Sequence, residues 1–242
     1  MLYRKSVLTV LLVLISFSFF GTLGLSVRIF PDEYDWRTRV ISNLLSPRDN
    51  PSHYWLPAWG IALTMFLMLP FAAYLQRNLE IVSRLGARFV SGTFALGCVL
   101  VICACFVAPQ HMREMSVLPR LHEFLARFGV GFLVIGMFAA TWYAWKGFRK
   151  NLIGARLAWA WALIVLLPLA AIFIAQGLLL FAEWNFSFAL PIRAALKNSV
   201  FWHLAFWEWA GSSIIFVFLS AAVILTPPGS NEQRSRPNDL TM

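Results

Sequence analysis

Residues 89–108 read FVSGTFALGCVLVICACFVA, twenty consecutive positions without a charge. A run of that length and polarity crosses a hydrocarbon core of about 30 Å as one α-helix. Lipid offers no partners to backbone amides, so such a segment must close its hydrogen bonds internally. Five comparable runs lie to either side, at residues 6–26, 55–75, 124–144, 157–181 and 200–225. The pattern predicts an all-α polytopic membrane bundle of six transmembrane helices. One domain covers 1–226, with a first outer loop at 27–54; the polar, proline-containing stretch 227–242 reads as a disordered cytoplasmic tail. Apolar residues make up 60% of the chain and charged ones 13%, which excludes an ordinary soluble domain, where about a quarter are charged.

Basic residues give the orientation. Arg4, Lys5, Arg77, Arg84, Arg88, Lys146, Arg149, Lys150, Arg156, Arg234 and Arg236 crowd the short segments of one side. Arg28, Arg37, Arg39, Arg48, Arg113, Arg120, Arg193 and Lys197 are spread over longer loops on the other. The denser side is expected to be cytoplasmic, with both termini inside and the bundle in the plasma membrane. The net charge of +9 then reflects topology and attraction to anionic headgroups rather than nucleic-acid binding. Met1 to Lys5 ahead of an apolar run resembles a secretory signal, but the run is long and lacks an A-x-A site, which favours a retained span.

Trp55, Trp59, Trp184, Trp202, Trp207 and Trp209 gather toward the outer ends, and Trp142, Trp145, Trp159 and Trp161 toward the inner ends. These read as headgroup-level anchors. Pro70 and Pro168 lie inside spans, where each removes a backbone donor and favours a kink. Cys98, Cys103 and Cys105 share one span without loop partners, so neither a disulfide framework nor a zinc ribbon is indicated. They read as small packing residues.

The first outer loop is unusual. Trp36, Val40, Ile41, Leu44 and Leu45 recur at helical spacing, with Arg37, Arg39, Ser42 and Asn43 on other faces. Asp35 is placed to cap the helix and Pro47 to end it. The spacing predicts a short amphipathic helix at the outer surface or in the mouth of the bundle. It is either a solvated connector or a lid whose Arg37, Arg39, Ser42 and Asn43 meet an anionic headgroup or carboxylate, a task suited to Arg.

Tyr34-Asp35, Ile41-Ser42-Asn43-Leu44, Phe106-Val107-Ala108-Pro109 and Leu121-His122 together resemble the domain-of-unknown-function 998 family of bacterial six-helix membrane proteins. Asn43 stands where that family usually has an acidic residue or glycine, and its Phe-Pro is here widened to Phe106-Val107-Ala108-Pro109. The resemblance implies an architecture and a site, without a reaction.

Polar groups in spans are costly and normally face an interior or cavity. His122, Glu123 and Arg127 open the fourth span, His203 and Glu208 the sixth, and Gln176 lies near the outer end of the fifth. His203 and Glu208, five apart, diverge by roughly 140° on one helix, whereas Glu208 and Ser212, or Ser199 and His203, share a face. A metal would need ligands from several helices, for instance His122, His203 and Asp35; no dense ligand motif calls for one, and no cofactor is indicated. The plainer reading makes His122 a helix-start residue bonded to backbone and His203 an interhelical hydrogen bond. Glu208, deeper, needs a partner such as Arg127. Two functional classes stay open. One is a lipid-handling enzyme or lipid-binding protein at the outer leaflet, with His122 or His203 as acid or base oriented by Glu208 or Asp35, and with Arg37, Arg39, Ser42, Asn43, Arg127 and Gln176 binding the ligand. The other is a noncatalytic membrane component, sensor or assembly partner of another membrane protein. Transport ranks lower, since no internal repeat is visible.

Overall fold

The computed structural model describes residues 5–111, 121–184, 186–187, 189–197 and 199–226, with residues 175–180 among those described in backbone alone. The expected tail at 227–242, Arg113 and Arg120 lie outside the described residues. Among the described residues every regular element is helical. In order these are α1 (Lys5–Ser16), a π-helical turn (Phe17–Gly21), α2 (Thr22–Arg28), α3 (Ile41–Leu44), α4 (Trp55–Leu79), α5 (Arg84–His111), α6 (Leu121–Arg149), α7 (Ala155–Glu183), α8 (Ala189–Lys197), a 3-10 turn (Val200–Trp202) and α9 (Leu204–Leu225). Among the described residues five stretches are long and apolar enough to cross a membrane: Lys5–Arg28, Trp55–Leu79, Arg84–Val107, Leu121–Arg149 and Leu204–Leu225. The run expected at 157–181 falls in α7, whose described apolar part, Ala155–Ala171, is shorter than these five.

Small residues set the closest approach. At Gly97 on α5 a Cβ would sit 2.8 Å from the backbone oxygen of Gly129 on α6, and at Gly129 one would sit 2.7 Å from Val101 Cγ2. Only glycine fits there. Without a strong hydrophobic drive between helices in lipid, such backbone proximity maximises dispersion contact. The π-helical turn allows a second close approach, where Ser18 Oγ donates to the Gly60 carbonyl at 3.1 Å.

The end of the bundle farthest from α3 is filled by aromatic side chains. Trp161 of α7 stacks on Phe218 of α9 with centroids 4.5 Å apart and donates its indole N–H to the Phe218 carbonyl at 3.2 Å. Tyr74 of α4 donates to the Ala222 carbonyl at 3.1 Å. Phe71, Leu75 and Leu79 are buried beside them. Trp161 is therefore a core residue, contrary to the expected headgroup anchor; the Phe218 carbonyl satisfies the indole and makes full burial possible. Trp142 and Trp159 are exposed, as anchors would be.

At the other end the first loop folds back over the helices. Regular helix there is limited to Ile41–Leu44, shorter than the period running from Trp36 implies. Asp35 Oδ1 accepts the Arg37 backbone N–H at 3.0 Å, closing a turn rather than capping a helix. Val40 is extended (φ −73°, ψ 155°), which separates that turn from α3. α8 is a further helix that the apolar runs do not mark. Pro70 and Pro168 both lie within continuous helices.

Candidate functional site

Under α3 lies a cavity of about 530 Å³. α6 forms one wall through His122, Arg127 and Val130; α9 forms the opposite wall through Leu204, Glu208 and Ser212. Met65 and Met68 of α4 and Val101 and Cys105 of α5 line its depth, and Ile41, Ser42 and Leu45 close it from above. The walls are mostly aliphatic or aromatic, with a few polar groups near the roof, the usual make-up of a small-molecule site.

The roof is pinned at several points. Glu208 Oε2 accepts the Ile41 backbone N–H at 2.8 Å, so α9 satisfies an amide that the first turn of α3 leaves free. Asn43 Oδ1 accepts the Val40 N–H at 3.1 Å, while Asn43 Nδ2 donates to Asp49 at 3.1 Å. Asn50, fully buried, donates to the Leu44 carbonyl at 3.0 Å. The Tyr34 hydroxyl is shared between the Arg39 and Val40 carbonyls at 2.9 and 3.0 Å. Burial pushes this phenol up to about 12; the Glu208 charge adds to the rise, and the Trp209 indole and Arg39 oppose it. The Trp209 N–H approaches Tyr34 but is buried without a well-formed hydrogen bond among the described residues. Ile41, Leu44 and Leu45 are buried beneath these bonds.

His122 Nδ1 lies 2.9 Å from the Ala104 carbonyl. A carbonyl only accepts, so Nδ1 carries the proton, and in the neutral ring Nε2 is left as an acceptor. A backbone carbonyl thus orients the ring, in place of the Glu208 or Asp35 carboxylate expected from residue type. Arg127 pairs with Glu123 at 3.3 Å on its own helix, so Glu208 has Ile41 as partner rather than Arg127. Ser212, which lines the cavity, donates its Oγ–H to the Glu208 carbonyl at 2.8 Å, one turn back, so its oxygen remains able to accept.

The cavity thus brings together Ser42, His122, Arg127 and Glu208. The other expected site residues are engaged elsewhere. Asp35 closes its local turn. Arg37 lies 5.8 Å over Trp36. Arg39 pairs with Asp32 at 3.6 Å and lies 5.1 Å over the Phe30 ring. Asn43 is spent on the roof. His203 is the residue before α9 and is not among the lining residues; Ser199, its expected face-mate, donates to the Leu196 carbonyl at 2.7 Å. The Gln176 side chain lies outside the described residues. Among the described residues no three of His, Cys, Asp and Glu gather as a metal site would require. Reading by residue type missed the Ala104 carbonyl, Asn50 and the methionine-lined depth. Two of these are backbone or apolar and carry no chemical flag.

The fold and cavity are those of an all-helical chain consistent with an integral membrane protein. Comparison with protein-family models, with curated proteins and with solved structures gave no match.

Proposed function

We propose that this chain is a six-span protein of the plasma membrane, of the kind its motifs resemble in the domain-of-unknown-function 998 family, and that its roofed cavity faces outward and binds or modifies a lipid or other amphiphile of the outer leaflet. The observation that carries this reading is the convergence of His122, Arg127 and Ser42, drawn from α6 and α3, on one largely apolar cavity. The six-span count is supported by Lys5 Nζ, which donates to the Ile224 carbonyl at 3.0 Å. The inner ends of the first and last helices then meet on one side, which fits an even number of crossings with α7 as the sixth. Dense basic charge on that side supports assigning it to the cytoplasm.

The test is native mass spectrometry of gently solubilised wild type beside His122→Ala. A lipid adduct present on the first and lost from a folded second supports the reading; identical bare proteins sink it. A second reading, a noncatalytic membrane component or assembly partner, draws on the Glu208 contact with Ile41, which ties a buried carboxylate to the roof's own backbone. Under it, Glu208→Ala lowers melting temperature without changing any adduct.

A further inference from the structure

We infer that the cavity takes a monoacyl, hydroxyl-bearing anionic lipid, a lysophospholipid, admitted sideways from the bilayer between α6 and α9. This rests on the amphiphile reading above and specifies its ligand.

Access comes first. The roof is bonded down at both ends of α3, from Glu208 and from Asn50, which closes the cavity toward the aqueous side. Its side wall is open: Val130 of α6 and Leu204 of α9 line the cavity yet are 48% and 64% exposed. Beyond Pro168, Ala170, Ala171, Phe173 and Ile174 are all exposed, the last two at 73% and 64%. At 100° per residue these four lie on one face of α7, within an arc of about 160°, and the gap is the stretch of wall at Val130 and Leu204. In a membrane that gap opens to acyl chains.

Shape and chemistry then select the ligand. About 530 Å³ lined by Met65, Met68 and Val101 accommodates one acyl chain and has no room for the second of a diacyl lipid. Arg127, largely exposed, is held among the described residues only by an exposed Glu123 on the same helix, a solvent-screened pairing that is weak. A phosphate offers the guanidinium two parallel hydrogen bonds and displaces it. His122 Nε2 and Ser212 Oγ accept. A headgroup that both receives from Arg127 and donates to His122 needs an anion beside a free hydroxyl, and removing one chain from a glycerophospholipid exposes that hydroxyl.

The experiment titrates the detergent-solubilised full chain with oleoyl lysophosphatidylglycerol, dioleoyl phosphatidylglycerol or monooleoylglycerol, reading adducts by native mass spectrometry and thermal midpoint in parallel. Lysophosphatidylglycerol should be retained and raise the midpoint, and Arg127→Gln should weaken it roughly tenfold, the worth of one charge-assisted contact. Gly211 lines the cavity, and nothing lies within 4 Å of where a Cβ would stand, so Gly211→Leu should fill it, keep the fold and abolish retention; Met65→Trp is the second filling variant. Equal retention of the diacyl lipid, or monooleoylglycerol binding as tightly as the anionic lipid, overturns the ligand assignment while leaving an amphiphile site. Retention of all three unaffected by either filling variant, or of none, overturns the amphiphile reading itself.

Discussion

The two ends of this bundle solve the same packing problem differently. At one, Trp161, Phe218, Tyr74 and Phe71 interlock, and both polar tips, the indole and the phenol, find carbonyls on α9. At the other, α6 and α9 stand either side of an unfilled volume, and the chain uses backbone-directed bonds to a four-residue helix to cap it. Close packing normally leaves few voids wider than a water. A membrane bundle that fills one end to that standard and leaves the other hollow has separated the part that holds helices together from the part that can receive a guest.

Four measurements would break or sharpen that contrast. The largest effect is expected at the filled end: Trp161→Ala should cost about 3–5 kcal/mol, the range for deleting a buried aromatic, read from reversible unfolding in mild detergent. Ile215→Ala, at the cavity wall, should cost clearly less, because the space it opens joins one already present; equal costs would mean the cavity is filled in solution.

Next, enlargement should separate the ends by sign. Leu75→Phe, at a fully buried position, should cost about 1–3 kcal/mol through overpacking, whereas Met65→Phe should be neutral or raise the melting temperature. A loss at Met65 as large as that at Leu75 would contradict the hollow end.

The roof comes third. Glu208→Ala leaves the Ile41 N–H without its acceptor and should cost about 1–3 kcal/mol, while Glu208→Gln keeps an acceptor oxygen and should recover most of it. Limited trypsin digestion at Arg37, Arg39 and Arg48 reports the same event locally, with faster cutting in Glu208→Ala than in Glu208→Gln. Matching digestion rates would show that the carboxylate does not hold α3.

The smallest effect at neutral pH belongs to Tyr34. Its folded pKa of about 12 lies above the ordinary value near 10, so folding holds the proton more tightly. The associated stability is complete below about pH 10 and is lost as pH rises through the folded value of about 12. Alkaline unfolding followed by circular dichroism should show this limb in wild type and lose it in Tyr34→Phe; an unchanged limb assigns it to other groups.

Five of the six expected runs were legible as helices long and apolar enough to cross a membrane, because bilayer thickness sets a length that sequence records directly. Ser42, His122, Arg127 and Glu208 stood out because polar groups near apolar spans need a reason to be there. What joins them was hidden. The partners of Glu208 and His122 are the Ile41 amide and the Ala104 carbonyl, and backbone groups of that kind leave no mark in residue type. Helical spacing from Trp36 to Leu45 concealed a shorter α3, since the Asp35 turn and the extended Val40 divide the segment. Trp161 looked like an anchor because burial depends on the Phe218 ring and carbonyl, which lie 57 positions along the chain.

The bond between Glu208 and Ile41 joins groups 167 residues apart. At a synthesis rate of roughly 5–20 residues per second, the first outer loop leaves the ribosome about 10–30 s before its acceptor exists. Through that interval the earlier helices wait uncovered on that side, and the insertion of the last one completes the closure.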